Sequence, residues 1–171
     1  FICIGRLTRQ KNFDLVINAM REIVSEENKM NLIIIGEGEE RSHLKNLILK
    51  FNLEQNIKLL GHKENIFPYL KNSKALILTS LWEEVGFVIV EAAACNIPII
   101  SSDCPNGPPE FLNFGTAGYL FKNNNLNDLN KKIQLFVNDD KVVIYNKIAN
   151  AKKNTKFFTS FFHFNEIFKL V

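Results

Sequence analysis

Six short apolar runs punctuate the chain: "FICIG", "NLIIIG", "IKLLG", "ALILTS", "NIPIISS" and "AGYLF". Each is apolar at successive positions, not at alternate ones, so each needs cover on both faces. The segments between them mostly carry a helical period. In "NFDLVINAMREIVSE" the residues Phe13, Val16, Ile17, Met20, Ile23 and Val24 make one stripe. Strands covered on both sides and joined by helices predict an α/β fold, a doubly wound, parallel, Rossmann-like sheet of about six strands with helices at the C-terminal end. With 171 residues and 46% apolar content, the chain has enough material for one such core without disulfides.

Bulk properties exclude several classes. A formal net charge of +3, spread along the sequence, gives no basis for a nucleic-acid partner. Cys3, Cys95 and Cys104 lack metal-ligand spacing and fit a reducing, cytoplasmic setting. The longest apolar run, residues 85–100, is broken by Glu91 and Asn96, so no membrane-spanning helix is expected. A chain that opens at Phe1 inside a strand pattern reads as a piece of a longer one.

Doubly wound sheets bind ligands outside the carboxyl ends of their strands. Every polar cluster of interest lies there. "GRLTRQKN" follows the first strand: Gly5 permits a sharp turn, and Arg6, Arg9 and Lys11 precede Asn12, a plausible N-cap. Cations beside free helix N–H groups suit a phosphate; a solvated basic loop is the other reading. "GEGEE" follows the second strand without a P-loop or dinucleotide pattern, and reads as a tight turn in which Gly36 admits a ligand base or ribose. After the fourth strand, Glu83 and Glu91 flank Gly86. Gly86 stands where a pyrophosphate could reach the N–H groups of Phe87 and Val88. A carboxylate such as Glu91 among apolar neighbours needs donors, which a ribose diol supplies; a first-turn acid complementing the helix dipole is the alternative.

These motifs in this order resemble the C-terminal, nucleotide-sugar-binding half of a GT-B-type glycosyltransferase of the large retaining family 4. "GRLTRQKN", "IIIGEGEE", the stretch from "IKLLGHK" to "PIISSD", and "NGPPEFL" carry the resemblance across residues 1 to about 121. The E-x(7)-E pair Glu83 and Glu91 is its most specific part. The resemblance implies that Arg6 and Lys11 hold the donor pyrophosphate and stabilise the departing diphosphate. It implies that Glu83 contacts the donor sugar and acts in catalysis with them. Glu91 would grip the ribose, Gly86, Phe87 and Val88 would offer N–H groups to the phosphates, and Gly61 and His62 would lie at the base. It implies a UDP- or GDP-sugar donor, a glycan or lipid-linked acceptor, and no metal or other cofactor, in keeping with the lack of Asp-x-Asp.

Departures stand beside the likeness. Glu84-Val85 replaces a Gly-Phe common in the family, Asn96 replaces a helix-end Gly, and Pro109 a residue that is often basic. The N-terminal acceptor domain is expected to be missing. Residues 1–150 are expected to bind the nucleotide sugar. Residues 151–171, with Phe157, Phe161, Phe164 and Phe168 at helical spacing, are expected to cross to that missing domain. A membrane-surface helix, with peripheral association at the inner face, is the alternative. Another nucleotide-sugar enzyme, such as an epimerase, or a non-catalytic binding module remains open beside the transferase reading.

Overall fold

The computed structural model describes residues 1–25, 29–84 and 86–159. Six parallel strands, β1 (Ile2–Ile4), β2 (Leu32–Ile35), β3 (Ile57–Leu59), β4 (Leu76–Leu78), β5 (Ile99–Ser102) and β6 (Tyr119–Phe121), form one sheet in the order β3-β2-β1-β4-β5-β6. The helices are α1 (Phe13–Ile23), α2 (Arg41–Lys50), α3 (Phe67–Lys71), α4 (Phe87–Ala94), α5 (Pro108–Phe111), α6 (Leu126–Asn138) and α7 (Lys141–Asn154). The expected Rossmann-like α/β class is what the chain adopts.

Both faces of the sheet are covered, which is why the strands are apolar throughout. One face buries Phe13, Val16, Ile17 and Met20 of α1 with Leu44 of α2 and Leu129 and Ile133 of α6. The other buries Leu70 of α3, Ile89 and Ala92 of α4, Phe111 of α5 and Ala151 of α7. Each fully buried aliphatic or aromatic side chain contributes roughly 1.5–3 kcal/mol relative to exposure. A charge at Ile17, wholly buried in the first layer, would therefore abolish the docking of α1.

The strand order reverses between β1 and β4, and there the layers divide. α1, after β1, packs on one face; α4, after β4, packs on the other. β1 and β2 are in register over three residue pairs, whereas β1 and β4 share only Ile2↔Leu76. The carboxyl ends of β1 and β4 thus part company, and a crevice opens between their loops.

Two expectations concern the C-terminal segment. The boundary expected at residue 150 falls inside α7, which runs unbroken to Asn154 and is followed by a single 3-10 turn, Thr155–Phe158. Of the expected phenylalanine stripe, Phe157 is 46% exposed; Phe161, Phe164 and Phe168 lie outside the described residues. Among the described residues, no helix is long and apolar enough to cross a membrane.

Candidate active site

The crevice holds two adjoining cavities of about 460 and 410 Å³, which meet at Ile4, Gly5 and Arg6. The first is lined by Arg6, Gln10, Lys11, Glu83, Glu84, Gly86, Phe87 and Val88. The second is lined by Arg6, Gly36, Glu37, His62 and Lys63. Arg6 stands between them, exposed, and its guanidinium makes no hydrogen bond or ion pair with the described residues. A separate hollow near Phe1, Lys29 and Lys74 lies at the opposite end of the strands and shares none of these side chains.

At the centre sits a buried ion pair. Lys11 Nζ donates to Glu83 Oε1 at 2.6 Å, with the two side chains 17% and 5% exposed. The lysine stem passes over Gly5, where an added Cβ would stand 3.3 Å from Lys11 Cε. Ser80 Oγ donates to the same Glu83 oxygen at 2.5 Å. A carboxylate removed from water needs such donors to remain ionised.

The two loops that carry this pair are stitched together. Thr79 Oγ1 donates to the Lys11 carbonyl, Leu81 N–H to the Gln10 carbonyl, and Gln10 Nε2 to the Trp82 carbonyl, each at 2.8 Å. On the far side, Asn123 Nδ2 donates to the Leu81 carbonyl, and Glu83 N–H donates to the Pro105 carbonyl. The site is therefore a braced frame, not a pair of free loops.

Gly86 caps α4 in the left-handed region, φ 63° and ψ 55°, which costs most residues free energy and glycine none. The N–H of Ile89 is satisfied by the Gly86 carbonyl. Those of Phe87 and Val88 have no acceptor among the described residues, as the first N–H groups of a helix generally do not. Phe87 projects outward, 64% exposed.

Glu91 occupies the second turn of α4 and lines neither cavity. Of the four residues expected in one cleft, Arg6, Lys11 and Glu83 line the first cavity. The half-buried Glu91 carboxyl has no side-chain partner among the described residues, and burial raises its pKa above the usual glutamate value.

The glycine turn after β2 serves a purpose that the sequence did not disclose. A Cβ on Gly36 would meet the Gly5 carbonyl oxygen at 1.9 Å, and one on Gly38 the Leu7 carbonyl oxygen at 2.3 Å. The chain's own backbone packs against both glycines, and Gly36 also lines the second cavity. Gly61, at φ 73°, continues the pattern by accepting a bond from Gly36 N–H at 3.0 Å; His62 beside it is exposed to the second cavity.

Other candidates resolve simply. Asn12 holds the N-cap position in a left-handed conformation but caps nothing with its side chain, which donates to Asn124 Oδ1. Asp103 accepts from Asn123 N–H at 2.5 Å and Trp82 is 49% exposed, outside both cavities. His43 is exposed and bonds Asp14. Ser80, Thr79 and Gln10 were missed; the one signal available was a pair of hydroxyls at the end of "ALILTS", three and four residues before Glu83.

Comparison with known proteins identifies the family. A family model described as "Glycosyl transferases group 1" matches residues 1–156. An uncharacterized glycosyltransferase of Methanocaldococcus jannaschii is 42% identical over 112 residues, 66% of this chain and 28% of its own length. The poly(ribitol-phosphate) alpha-N-acetylglucosaminyltransferase of Staphylococcus aureus is 32% identical over 137 residues, 80% of this chain and 28% of its own. The crystal structure of a mutant of S. aureus TarM in complex with fondaparinux, alpha-GlcNAc-glycerol and UDP is similar with a TM-score of 0.81 at 31% identity, over 90% of this chain and 31% of that one. This chain spans less than a third of the length of each of these relatives. It belongs to the glycosyl transferases group 1 family.

Proposed function

We propose that this chain is the C-terminal, donor-binding domain of a retaining, GT-B-type glycosyltransferase of family 4. It binds a nucleoside-diphosphate sugar, and the full-length protein transfers the sugar, a hexose type, to a glycan or lipid-linked acceptor. The observation that carries this reading is the juxtaposition of unpartnered Arg6, the Lys11–Glu83 pair and the glycine-capped N-terminus of α4 around one cavity. An anionic diphosphate meets a guanidinium, an ammonium and two backbone N–H groups there. UDP in the similar TarM complex supports a nucleotide of that kind.

In this reading Arg6, Lys11 and the N–H groups of Phe87 and Val88 hold the diphosphate and stabilise it as it departs. Glu83 accepts from a sugar hydroxyl. His62 and Gly61 border the base in the second cavity. Glu91, in the second turn of α4, serves the ribose. Residues beyond 150 lead toward an N-terminal acceptor domain, without which this chain transfers no sugar. The protein acts in the cytoplasm, at the inner face of a membrane where the acceptor is lipid-linked.

Calorimetry tests the reading. Arg6→Ala should weaken UDP by roughly 1.5–3 kcal/mol and leave uridine nearly unchanged. Equal losses for both ligands would remove Arg6 from the diphosphate, and no binding of UDP or GDP by the unmutated protein would defeat the donor-domain reading itself.

A further inference from the structure

We propose that Ser80 is a positioning residue for Glu83: it fixes the plane of the carboxylate so that Oε2 is presented to a hydroxyl of the bound sugar. This rests on the donor-site reading above. Ser80 is wholly buried, and the polar atom its hydroxyl engages is Glu83 Oε1, at 2.5 Å. Its backbone is pinned in turn, since the Ser80 carbonyl accepts from Ser102 Oγ at 2.6 Å. Both flanking residues, Thr79 and Leu81, are tied to the loop of Lys11 and Gln10. Ser80 is thus a short arm on a fixed support.

Lys11 engages the same oxygen at 2.6 Å. With Ser80 and Lys11 both on Oε1, Oε2 takes no hydrogen bond from the described residues. It lies 4.0 Å from where a Gly86 Cβ would stand, and both Glu83 and Gly86 line the first cavity. A carboxylate offers about four acceptor sites, so one oxygen is saturated and the other is kept for a ligand.

The two donors are not equivalent. A lysine ammonium is a point charge on a flexible stem, with three donors that it can divide between Glu83 and a diphosphate. It neutralises the carboxylate without dictating its plane. The serine hydroxyl sits on a short, wholly buried side chain and, unlike Lys11, is not drawn on by the diphosphate. It holds the carboxylate oriented while Lys11 is shared with the phosphates.

The test uses the full-length protein with UDP and with whichever of UDP-glucose, UDP-N-acetylglucosamine and GDP-mannose it turns over fastest, counting hydrolysis where no acceptor is supplied. Ser80→Ala should keep UDP affinity within about twofold and lower kcat by about tenfold or more, the worth of one hydrogen bond to a charged group. Ser80→Thr, which keeps the hydroxyl, should restore turnover to within about threefold, and Ser80→Cys, a weaker donor of similar size, should fall between Ser and Ala. Equal losses of UDP affinity and kcat in Ser80→Ala, or turnover that does not follow the donor series, would show a purely structural role and overturn the proposal. Glu83→Gln separates the two levels. If Glu83→Gln is impaired and Ser80→Ala is not, positioning fails and the donor site stands; if Glu83→Gln turns over normally, both fail.

Discussion

The two lips of the crevice use glycine in opposite ways. On the β1–β2 side, Gly36 and Gly38 are hemmed in by backbone: their missing side chains let the Gly5–Leu7 segment lie against the second loop, with Leu7 N–H donating to the Glu37 carbonyl at 2.9 Å. On the β4–α4 side, the three nearest atoms among the described residues to a Cβ placed on Gly86 all belong to the Glu83 side chain, at 3.8 to 4.0 Å. The first pair is required by packing. The second is required by a left-handed turn that leaves open space in front of a helix terminus. A glycine in a cleft is therefore no sign of a ligand until its surroundings are known.

That contrast can be broken directly. Gly36→Ala drives a Cβ into a carbonyl that has nowhere to go, at a φ of 147° reserved for glycine. It should cost about 4 kcal/mol or prevent folding. Gly86→Ala meets no such wall and should cost only about 1–2 kcal/mol, the strain of a left-handed alanine. Thermal unfolding of the two variants side by side would show this, and equal destabilisation would erase the distinction between the lips.

Between the lips stands the ion pair, and its loss should come next in size. Lys11→Met strips a buried carboxylate of its cation, leaving Ser80 as its one donor among the described residues. Urea denaturation at neutral pH should report a loss of roughly 3 kcal/mol. A smaller loss for Glu83→Gln, which keeps an acceptor for Ser80, would sharpen the assignment; a neutral Lys11→Met would mean that the pair contributes nothing to the frame.

The smallest effect belongs to Glu91. Burial disfavours its ionised form, so the folded chain holds that proton to higher pH than the unfolded chain does. The stabilisation is complete below the unfolded value near 4.5 and is lost as pH rises through the higher folded value. Glu91→Gln should therefore match the unmutated protein in acid and unfold at a slightly higher temperature at neutral pH. A melting profile with no pH-dependent gap would place Glu91 in water rather than on the half-buried flank of α4.

Much of this was legible in the sequence. The six strands announced themselves because a sheet covered on both faces leaves no polar alternation, and α1 because Phe13, Val16, Ile17 and Met20 fall on one stripe. The carboxyl-end rule gathers Arg6, Lys11 and Glu83 into one region. Three things were hidden. That Gly36 lies against the Gly5 carbonyl depends on how closely two loops approach, which local sequence does not encode. The bond between Lys11 and Glu83 spans 72 positions. Which way Glu91 points depends on the helical turn of α4, and spacing from Glu83 does not fix that direction.

The single register pair between β1 and β4 also has a consequence for how the chain is made. The contacts that complete the frame, Gln10 with Trp82, Lys11 with Glu83 and Thr79 with Lys11, join residues 68 to 72 apart. Their loop-closure entropy must be met before they return anything, a hallmark of slow, non-local folding. A nascent chain that has exposed β1–β3 already owns Arg6 and Lys11 but has no Glu83 for the lysine to hold. The finished cleft thus certifies that the two halves of the sheet have met. A ligand that binds only the joined form adds RT ln(1 + [L]/Kd) to their union, so the cellular supply of that ligand would help decide what fraction of newly made chains stays folded.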